Sequence, residues 1–512
     1  MVTEDGYCLT IDQGTTGTRC IIFDHEGSKV SSSYLEHKQI YPYPGWVEHN
    51  PLEIIDNMFA VIKEAVESSK IQSEEIVAVG VTNQRETVVL WNPETGQPYY
   101  NAIVWQDTRT KEICEELKIQ GYDESLIKPK TGLFLSTYFS GPKIKWIFKN
   151  VPKVLEYSGL GKVFFGNIDS WMIWWLTGGP KGGSHVTDYT NGSRTMLMNI
   201  NKLEWDQEIL RLLKIPEEIL PELKPSSDKN FYGYTREDSV FSSKIPVCSD
   251  LGDQQAALVG QACFREGESK NTYGTGCFML SNIGNSPKLS KEGLLTTCAY
   301  SFEEGKTVYA LEGSIAVAGS VVQWLRDNLK IIGSPSETEK IAESIKDEGS
   351  GGVYFVPAFN GLYAPYWDSD ARGIICGLTS FIKRDHIVHA ALESICWQTR
   401  DVFETMARAS GARLEILKVD GGAVVNNYLM QLQADTLGTK VVRPKFFETT
   451  SLGAAYAAGL AVSYWKSTNE LAKLWKKDRI FEPEWSDNKR EHLYTGWKEA
   501  VKLSMGWLKK VS

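Results

Sequence analysis

The fold is decided by the stretch Tyr7-Cys8-Leu9-Thr10-Ile11-Asp12-Gln13-Gly14-Thr15-Thr16-Gly17-Thr18-Arg19-Cys20-Ile21-Ile22-Phe23. Two runs of apolar and β-branched residues flank a turn of Gly and Thr, which is the pattern of a β-hairpin. The pattern returns in the second half, where 269–273 and 277–283 flank Gly274-Thr275-Gly276. We therefore predict that one strand–turn–strand unit occurs twice along the chain.

Strands and helices alternate after each hairpin. Apolar residues at helical spacing predict a helix over 52–68, and a β-rich run predicts a strand over 76–82. In the second half, a predicted strand over 414–419 leads through Asp420-Gly421-Gly422-Ala423 into a predicted helix over 427–437. This alternation indicates an α/β protein with two similar halves that face one cleft.

Size and composition support a two-domain globular protein. A chain of 512 residues is too long for one ordinary core, and its 42% hydrophobic and 23% charged residues are typical of globular chains. We place the domain boundary within 249–260, which gives domains 1–256 and 257–512. The net charge of −9 comes without a basic stripe, so we do not expect nucleic-acid binding.

The cysteines bear on the cellular compartment. Nine cysteines are widely spaced and form no Cys-x-x-Cys pair, which argues against a disulfide framework or a zinc site. Residues 1–7 lack a signal-peptide pattern, and no apolar run has membrane-spanning length. We therefore predict a cytoplasmic protein without a membrane span.

The common single phosphate-binding motifs are absent, both the P-loop and the dinucleotide fingerprint. Turns rich in Gly and Thr can nevertheless direct several backbone N–H groups at an anion. Asp12, just before the first turn, would repel phosphates unless Mg²⁺ lay between, so we predict that it faces Mg²⁺ through water. Arg19 could offset phosphate charge. Read alone, each turn could also be an ordinary hairpin turn, but three such turns together favour a phosphate site.

The acceptor side is indicated by polar residues that end a predicted strand, Asn83-Gln84-Arg85-Glu86-Thr87. Arg85 donates hydrogen bonds and Glu86 accepts them, so the pair could hold adjacent hydroxyls of a polyol. The alternative is a surface ion pair. Asp253 is a candidate general base, and its alternative reading is the N-cap of a helix that starts at 254.

Aromatic residues close to these polar stretches could cover the carbon atoms of a polyol. The candidates are Trp105, Tyr138 and Phe278. The alternative for each of them is ordinary packing in the core.

Together these segments resemble the FGGY carbohydrate kinase family, and within it the members that phosphorylate glycerol. The block at 83–87 is more specific than the glycine turns, which the wider actin-like ATPase superfamily shares. Further matching segments are Pro44-Gly45-Trp46-Val47-Glu48-His49, Asn101-Ala102-Ile103-Val104-Trp105-Gln106, Tyr138-Phe139-Ser140-Gly141, Gly252-Asp253-Gln254-Gln255, Asn271-Thr272-Tyr273-Gly274-Thr275-Gly276-Cys277-Phe278 and Pro357-Ala358-Phe359.

The resemblance implies two RNase H-like domains of the actin-type ATPase fold that flank a central cleft for ATP and substrate. It implies phosphorylation of glycerol to sn-glycerol 3-phosphate with ATP and Mg²⁺, in glycerol uptake and glycerolipid metabolism, and a homodimer or homotetramer. The implied glycerol contacts are Arg85, Glu86, Tyr138, Asp253 and Gln254, with Asp253 as catalytic base. The implied ATP contacts are Thr15, Thr16, Gly17, Arg19, Gly274, Thr275, Gly319, Gln323, Gly422 and Asn426.

The sequence departs from the family at three places. Pro142 replaces a small polar residue, 232–244 lacks the loop by which some bacterial relatives bind fructose 1,6-bisphosphate, and 482–490 differs from the segment that docks a sugar-transport regulator. We therefore do not expect that regulation.

Two other functions stay open, a kinase of another polyol or sugar and an actin-like ATP-binding scaffold. A scaffold has no need of Arg85, Glu86 and Asp253.

Overall fold

The computed structural model describes residues 5–237, 240–303 and 305–511, so part of the N-terminal segment and of the 232–244 segment considered above lies outside the described residues. Two large mixed sheets dominate the fold. In spatial order, the N-terminal sheet consists of Gly233–Tyr234, Pro246–Gly252, Ile76–Asn83, Tyr7–Gln13, Gly17–Phe23 and Lys29–Glu36. Read from the opposite edge, the C-terminal sheet consists of Leu295–Glu303, Lys306–Ile315, Cys277–Asn282, Ser269–Tyr273, Ile416–Asp420, Lys440–Pro444 and Lys477–Phe481.

The two sheets share one arrangement around their hairpins. Tyr7–Gln13 pairs antiparallel with the strand after its turn and parallel with Ile76–Asn83. Ser269–Tyr273 likewise pairs antiparallel with the strand after its turn and parallel with Ile416–Asp420. Because hairpins and crossovers place the strands in the same order, the predicted duplication of an RNase H-like α/β unit is confirmed.

Within the described ranges, short strands form five two-stranded sheets, which are Glu48–His49 with Ala102–Ile103, Val89–Trp91 with Phe164–Gly166, Val186–Asp188 with Glu222–Lys224, Met198–Asn199 with Glu204–Trp205, and Tyr354–Val356 with Ile374–Cys376. The helices are Pro51–Ser69, Lys111–Ile119, Glu124–Thr131, Ser140–Asn150, Val154–Ser158, Ile168–Thr177, Tyr189–Gly192, Gln207–Leu213, Asp253–Gly260, Gly319–Asp327, Glu337–Ser344, Arg384–Ser410, Asn427–Leu437, Thr449–Ala461, Thr468–Leu474, Asp487–Ser504 and Trp507–Val511.

The predicted elements agree with the observed ones to within two residues at each end. The helix predicted over 52–68 spans Pro51–Ser69, where Asn50 accepts a hydrogen bond from the N–H of Leu52 and proline takes the first helical position. The helix predicted over 427–437 spans Asn427–Leu437. Turn and cap residues at both ends explain why these boundaries can be predicted locally.

Two helices cross between the sheets, Asp253–Gly260 after the N-terminal sheet and Thr449–Ala461 after the strand Lys440–Pro444 of the C-terminal sheet. Their backbones touch at glycines. A Cβ on Gly453 would lie 1.8 Å from the carbonyl oxygen of Ala256, and one on Gly260 would lie 1.9 Å from that of Thr449. Residue 256 therefore lies inside the first helix, and the division of the chain at this position stays a prediction.

The thiols and helices can be compared with the compartment predictions. Each of the nine cysteines, all of them within the described ranges, is a free thiol, as the absence of paired spacing predicts. Among the described residues, no helix has both the length and the apolar character needed to cross a bilayer.

Candidate active site between the two sheets

Each of the two Gly/Thr turns is closed by a backbone hydrogen bond, and the second turn is one residue shorter. The N–H of Gly14 donates to the carbonyl of Gly17 at 2.9 Å, and the N–H of Gly274 donates to that of Gly276 at 2.9 Å. Thr16 and Thr275 are exposed at the tips of the two turns. Both turns leave hydroxyl groups and turn amides available to an anion.

The first turn is fixed from its sides. The indole N–H of Trp105 donates to the hydroxyl of Thr15 at 3.0 Å, and Gln39 donates to the carbonyl of Thr15 at 2.9 Å. Position 17 requires glycine, because the Cβ of any other residue would lie 2.6 Å from the carbonyl oxygen of Leu35. The turn is thus held close to the aromatic residue predicted to face the polyol.

The second turn lies against the start of the helix Gly319–Asp327. The N–H of Gly319 donates to the carbonyl of Gly274 at 2.9 Å, and a Cβ on Gly319 would lie 2.6 Å from that oxygen. Gln323 is exposed one turn further along this helix. A helix N-terminus beside a glycine turn favours an anionic group, so this contact supports the predicted nucleotide site.

The third glycine turn abuts the second. Gly421 has φ of +92° and a Cβ there would lie 2.5 Å from the carbonyl oxygen of Tyr273, while a Cβ on Gly422 would meet no described atom within 4 Å. Asn426 caps the next helix, because its side chain accepts from the N–H of Leu429 at 2.8 Å. The predicted nucleotide residues of the C-terminal half therefore lie around adjoining turns, and their contacts with ATP stay predictions.

Asp12 lies where the two halves meet. The hydroxyl of Ser451, on the crossing helix, donates to its Oδ2 at 3.1 Å. Burial raises the pKa of Asp12 to about 7, with Arg19 opposing the rise and Asp253 adding to it. Arg19 itself forms an ion pair with Glu448. Asp12 and Arg19 thus sit beside the first turn, as predicted, and both contact residues from the other end of the chain.

Arg85 lies in a buried network of charges. Its guanidinium donates to both carboxylate oxygens of Glu312, at 2.6 and 3.0 Å, and its Nε lies 3.1 Å from Asp253. Arg85 and Glu86 are 3% and 2% exposed. The alternative reading of this pair as a surface ion pair is therefore wrong.

Glu86 adopts an unusual backbone conformation for its type, with φ of +61°. Its carboxylate accepts a hydrogen bond from Nε of Arg194. Burial raises the pKa of Glu86, although Arg194 and Arg85 both oppose the rise. Left-handed backbone in a non-glycine residue is enriched at functional sites, which agrees with the predicted polyol contact.

Asp253 is the first residue of its helix, and Gly252 takes the cap position, so the N-cap alternative is wrong. The carboxylate accepts from the N–H of Gln254 at 2.7 Å and from its side-chain amide at 3.1 Å. The carbonyl oxygen of the same side-chain amide accepts a hydrogen bond from Nζ of Lys270 at 2.5 Å. The side chain of Asp253 is 29% exposed, so a hydroxyl group can reach it.

The three predicted aromatic residues do come together. The ring of Trp105 lies 5.6 Å from the ring of Tyr138 and 6.1 Å from that of Phe278, both edge to face. Phe278 belongs to the C-terminal sheet and the other two belong to the N-terminal half. They form an apolar wall on both sides of the cleft, next to Thr15.

The sequence-based predictions missed Glu312, Arg194 and Lys270. Burial alone would raise the pKa of Glu312, but Arg194 and Arg85 lower it to about 2. The available signal was a charged residue inside a strand, Glu312 among the mostly apolar residues of Lys306–Ile315 and Lys270 among the polar residues of Ser269–Tyr273. A charge buried in a sheet needs a partner, although the pattern does not say which one.

Comparisons with known proteins agree with this architecture. The models of the FGGY family of carbohydrate kinases match with the N-terminal domain over residues 7–260 and the C-terminal domain over residues 269–462. Glycerol kinase 2 of Thermotoga maritima is 57% identical over 98% of this chain and 100% of its own length. The structure of Plasmodium falciparum glycerol kinase with ADP superposes with a TM-score of 0.90 at 41% identity, covering 98% of both chains. A xylulose kinase from Lactobacillus acidophilus, 22% identical over 99% of this chain and 100% of its own, shares the fold with a TM-score of 0.87.

Proposed function

Because this chain belongs to the FGGY family of carbohydrate kinases, we propose that its cleft transfers the γ-phosphoryl group of ATP to glycerol with Asp253 as general base. The overall reaction rests on relatives named glycerol kinase that are 52–57% identical over 98% of the chain. The base assignment rests on one observation: Asp253 is an accessible carboxylate held by Arg85 and Gln254 beside the aromatic wall.

Asp253 accepts the proton of a terminal hydroxyl of glycerol as that oxygen attacks the γ-phosphorus of ATP. A positioned base contributes roughly 10²–10⁴-fold to the rate, and most of the remaining acceleration comes from orientation and electrostatics. Arg85 and Gln254 fix the direction of the carboxylate, because each donates to it from a different side.

Glu86 and Arg85 recognise the remaining hydroxyls of glycerol. Both side chains are buried and held by charged partners, so the hydrogen-bonding capacity that those partners leave free has a fixed direction and selects acceptors with matching hydroxyls. Trp105, Tyr138 and Phe278 cover the carbon atoms and limit the length of the acceptor. This combination of a short apolar wall and paired charges favours a three-carbon polyol over a sugar.

The Gly/Thr turns and the N-terminus of the helix Gly319–Asp327 hold the phosphates of ATP. Residues present in the cleft also fit Mg²⁺: one carboxylate, Asp12, lies beside the first turn, and Mg²⁺ that is bound mainly by phosphates and water needs only one or two. In the described part of the chain, no cluster of three or more His, Cys, Asp or Glu side chains could hold a metal ion by itself. Mg²⁺ bound with the nucleotide would neutralise charge on its phosphate oxygens.

The test combines a substrate panel with one variant. The wild type is incubated with Mg-ATP and glycerol, xylulose, ribulose or gluconate, and ADP release is measured. We expect turnover with glycerol, and a fall of kcat by roughly 10²–10⁴-fold in Asp253→Asn with unchanged binding of a non-hydrolysable ATP analogue. Near-normal turnover in the variant would remove Asp253 as the base, and ADP release independent of any acceptor would favour an ATP-binding scaffold.

The cellular setting is a further part of the proposal. The nine free thiols support a reducing compartment such as the cytoplasm. A homodimer or homotetramer is proposed from the resemblance to the family, and light scattering of the purified protein measures its mass. A monomer at micromolar concentration would contradict this assembly.

A further inference from the structure

The acceptor site contains a row of alternating charges, two of which the proposed reaction does not use directly. In order, its members are Asp253, Arg85, Glu312, Arg194 and Glu86. We call this row the buried ion chain. Asp253, Arg85 and Glu86 are the proposed glycerol contacts, whereas Glu312 and Arg194 lie between them without a proposed contact of their own.

The middle of the buried ion chain is inaccessible. The side chain of Glu312 is 0% exposed, and those of Arg194 and Arg85 are 0% and 2% exposed. Glu312 receives two hydrogen bonds from Arg85 and lies 3.3 Å from Nη2 of Arg194. One carboxylate therefore sets the positions of both guanidinium groups.

Arg194 has further packing that fixes its plane. Its Cζ lies 5.4 Å from the ring centroids of both Tyr138 and Phe139. This places the guanidinium against a ring of the aromatic wall while Nε holds Glu86. A shift of Arg194 would thus move both Glu86 and the aromatic wall.

A buried row of ions is a poor device for stability, because desolvation offsets most of the attraction between the charges. It is a good device for holding polar groups in one geometry, since a charge that has lost its partner inside a protein is costly. Three carboxylates and two guanidinium groups leave the row with one excess negative charge. Removing Glu312 would leave two arginines to compete for Asp253 and Glu86.

We propose that Glu312 and Arg194 are positioning residues that hold Asp253, Arg85 and Glu86 at fixed positions relative to one another. Glu312 lies on the strand Lys306–Ile315 of the C-terminal sheet, whereas the other four members belong to the N-terminal half. Glu312, a residue of the proposed nucleotide-binding half, therefore completes the site for glycerol. This inference deepens the proposed function and rests on it.

The test uses Glu312→Gln, which keeps the shape of the side chain and removes its charge. We expect the KM for glycerol to rise by roughly tenfold to a hundredfold, because the amide can no longer accept from Arg85 with both of its terminal atoms and has no charge to attract Arg194. We expect the KM for ATP to stay within about twofold, since no member of the row belongs to the phosphate turns. Arg194→Lys, which keeps the charge and loses the fork of donors, should also raise the KM for glycerol.

The matched control is Asp401→Asn. Asp401 is a buried carboxylate on the helix Arg384–Ser410 that accepts from Tyr494 and Trp497 at 2.7 and 2.8 Å, outside the cleft. Its loss should lower the midpoint of thermal unfolding and leave the KM for glycerol unchanged. A purely structural Glu312 would give the same result as this control.

The possible results distinguish a failure of the proposed function from a failure of this inference. A wild type that does not phosphorylate glycerol would overturn the proposed function and this inference together. An active wild type with Glu312→Gln within twofold in kcat and in the KM for glycerol would overturn the inference alone. If Glu312→Gln does not fold, Arg194→Lys decides: an unchanged KM for glycerol overturns the inference, and a raised one supports it.

Discussion

The crossing of the two interdomain helices makes a sharp prediction for Gly453→Ala. A Cβ at this position would lie 1.8 Å from the carbonyl oxygen of Ala256 and 2.8 Å from the backbone nitrogen of Gly260. Ordinary contact for a Cβ begins at 3.4 Å, so the helices would have to separate by about 1.6 Å. The obstacle is backbone on both sides, which cannot rotate away as a side chain can.

The size of the effect follows from where the contact lies. Overpacking in a core costs about 1–3 kcal/mol, and this contact allows little relief because both partners are helices. Ala256 is one turn from Asp253 on the same helix, so a displacement of the helix at Ala256 also moves the proposed base. A misplacement of about 1 Å at a reacting group can cost roughly 10²-fold in rate, so we expect kcat to fall by about that factor.

The assay measures both consequences against a matched control. Gly159→Ala makes the same chemical change where a Cβ would come no nearer than 3.7 Å to another atom outside its neighbours, and φ is −69° there. Thermal unfolding reports stability, and initial rates with saturating glycerol and Mg-ATP report kcat. A Gly453→Ala variant with the stability and kcat of Gly159→Ala would refute the reasoning, because it would show that the helices can separate without moving the base.

Two further substitutions test the acceptor side. Arg85→Ala should raise the KM for glycerol roughly tenfold or more, because it leaves Glu312 buried without its paired donor; initial rates with varied glycerol measure this, and an unchanged KM would remove Arg85 from the site. Burial lowers the pKa of Lys270 to about 8, so above that pH it lacks one of the three donors that serve Gln254, Thr272 and the carbonyl of Phe278. The KM for glycerol should therefore rise as the pH passes about 8 in the wild type. In Lys270→Met it should be high at every pH, and the same pH dependence in both proteins would contradict this.

Local patterns explain which parts of the fold could be predicted. The hairpin at 7–23 and the helix Asn427–Leu437 are specified by turn and cap residues next to them in sequence, so their bounds agree with the structure. Arg85 and Glu86 could be placed in a site because five polar residues end a strand. Such patterns describe what a segment does by itself and leave its partners open.

Partners distant in sequence explain what could not be predicted. Arg85 is separated by 227 positions from Glu312, and Asp12 by 439 positions from Ser451. Neither Glu312 nor Ser451 has neighbours that set it apart as part of a site. Only the packing of the two halves of the chain against each other brings these side chains together.

The same distances have a consequence for catalysis. The proposed glycerol contacts Arg85 and Asp253 belong to one half, whereas Glu312, Lys270 and Phe278, which hold or line this site, belong to the other. An acceptor site built from both halves is complete only when the halves are in register, and the register is set where Gly260 and Gly453 let the helices touch.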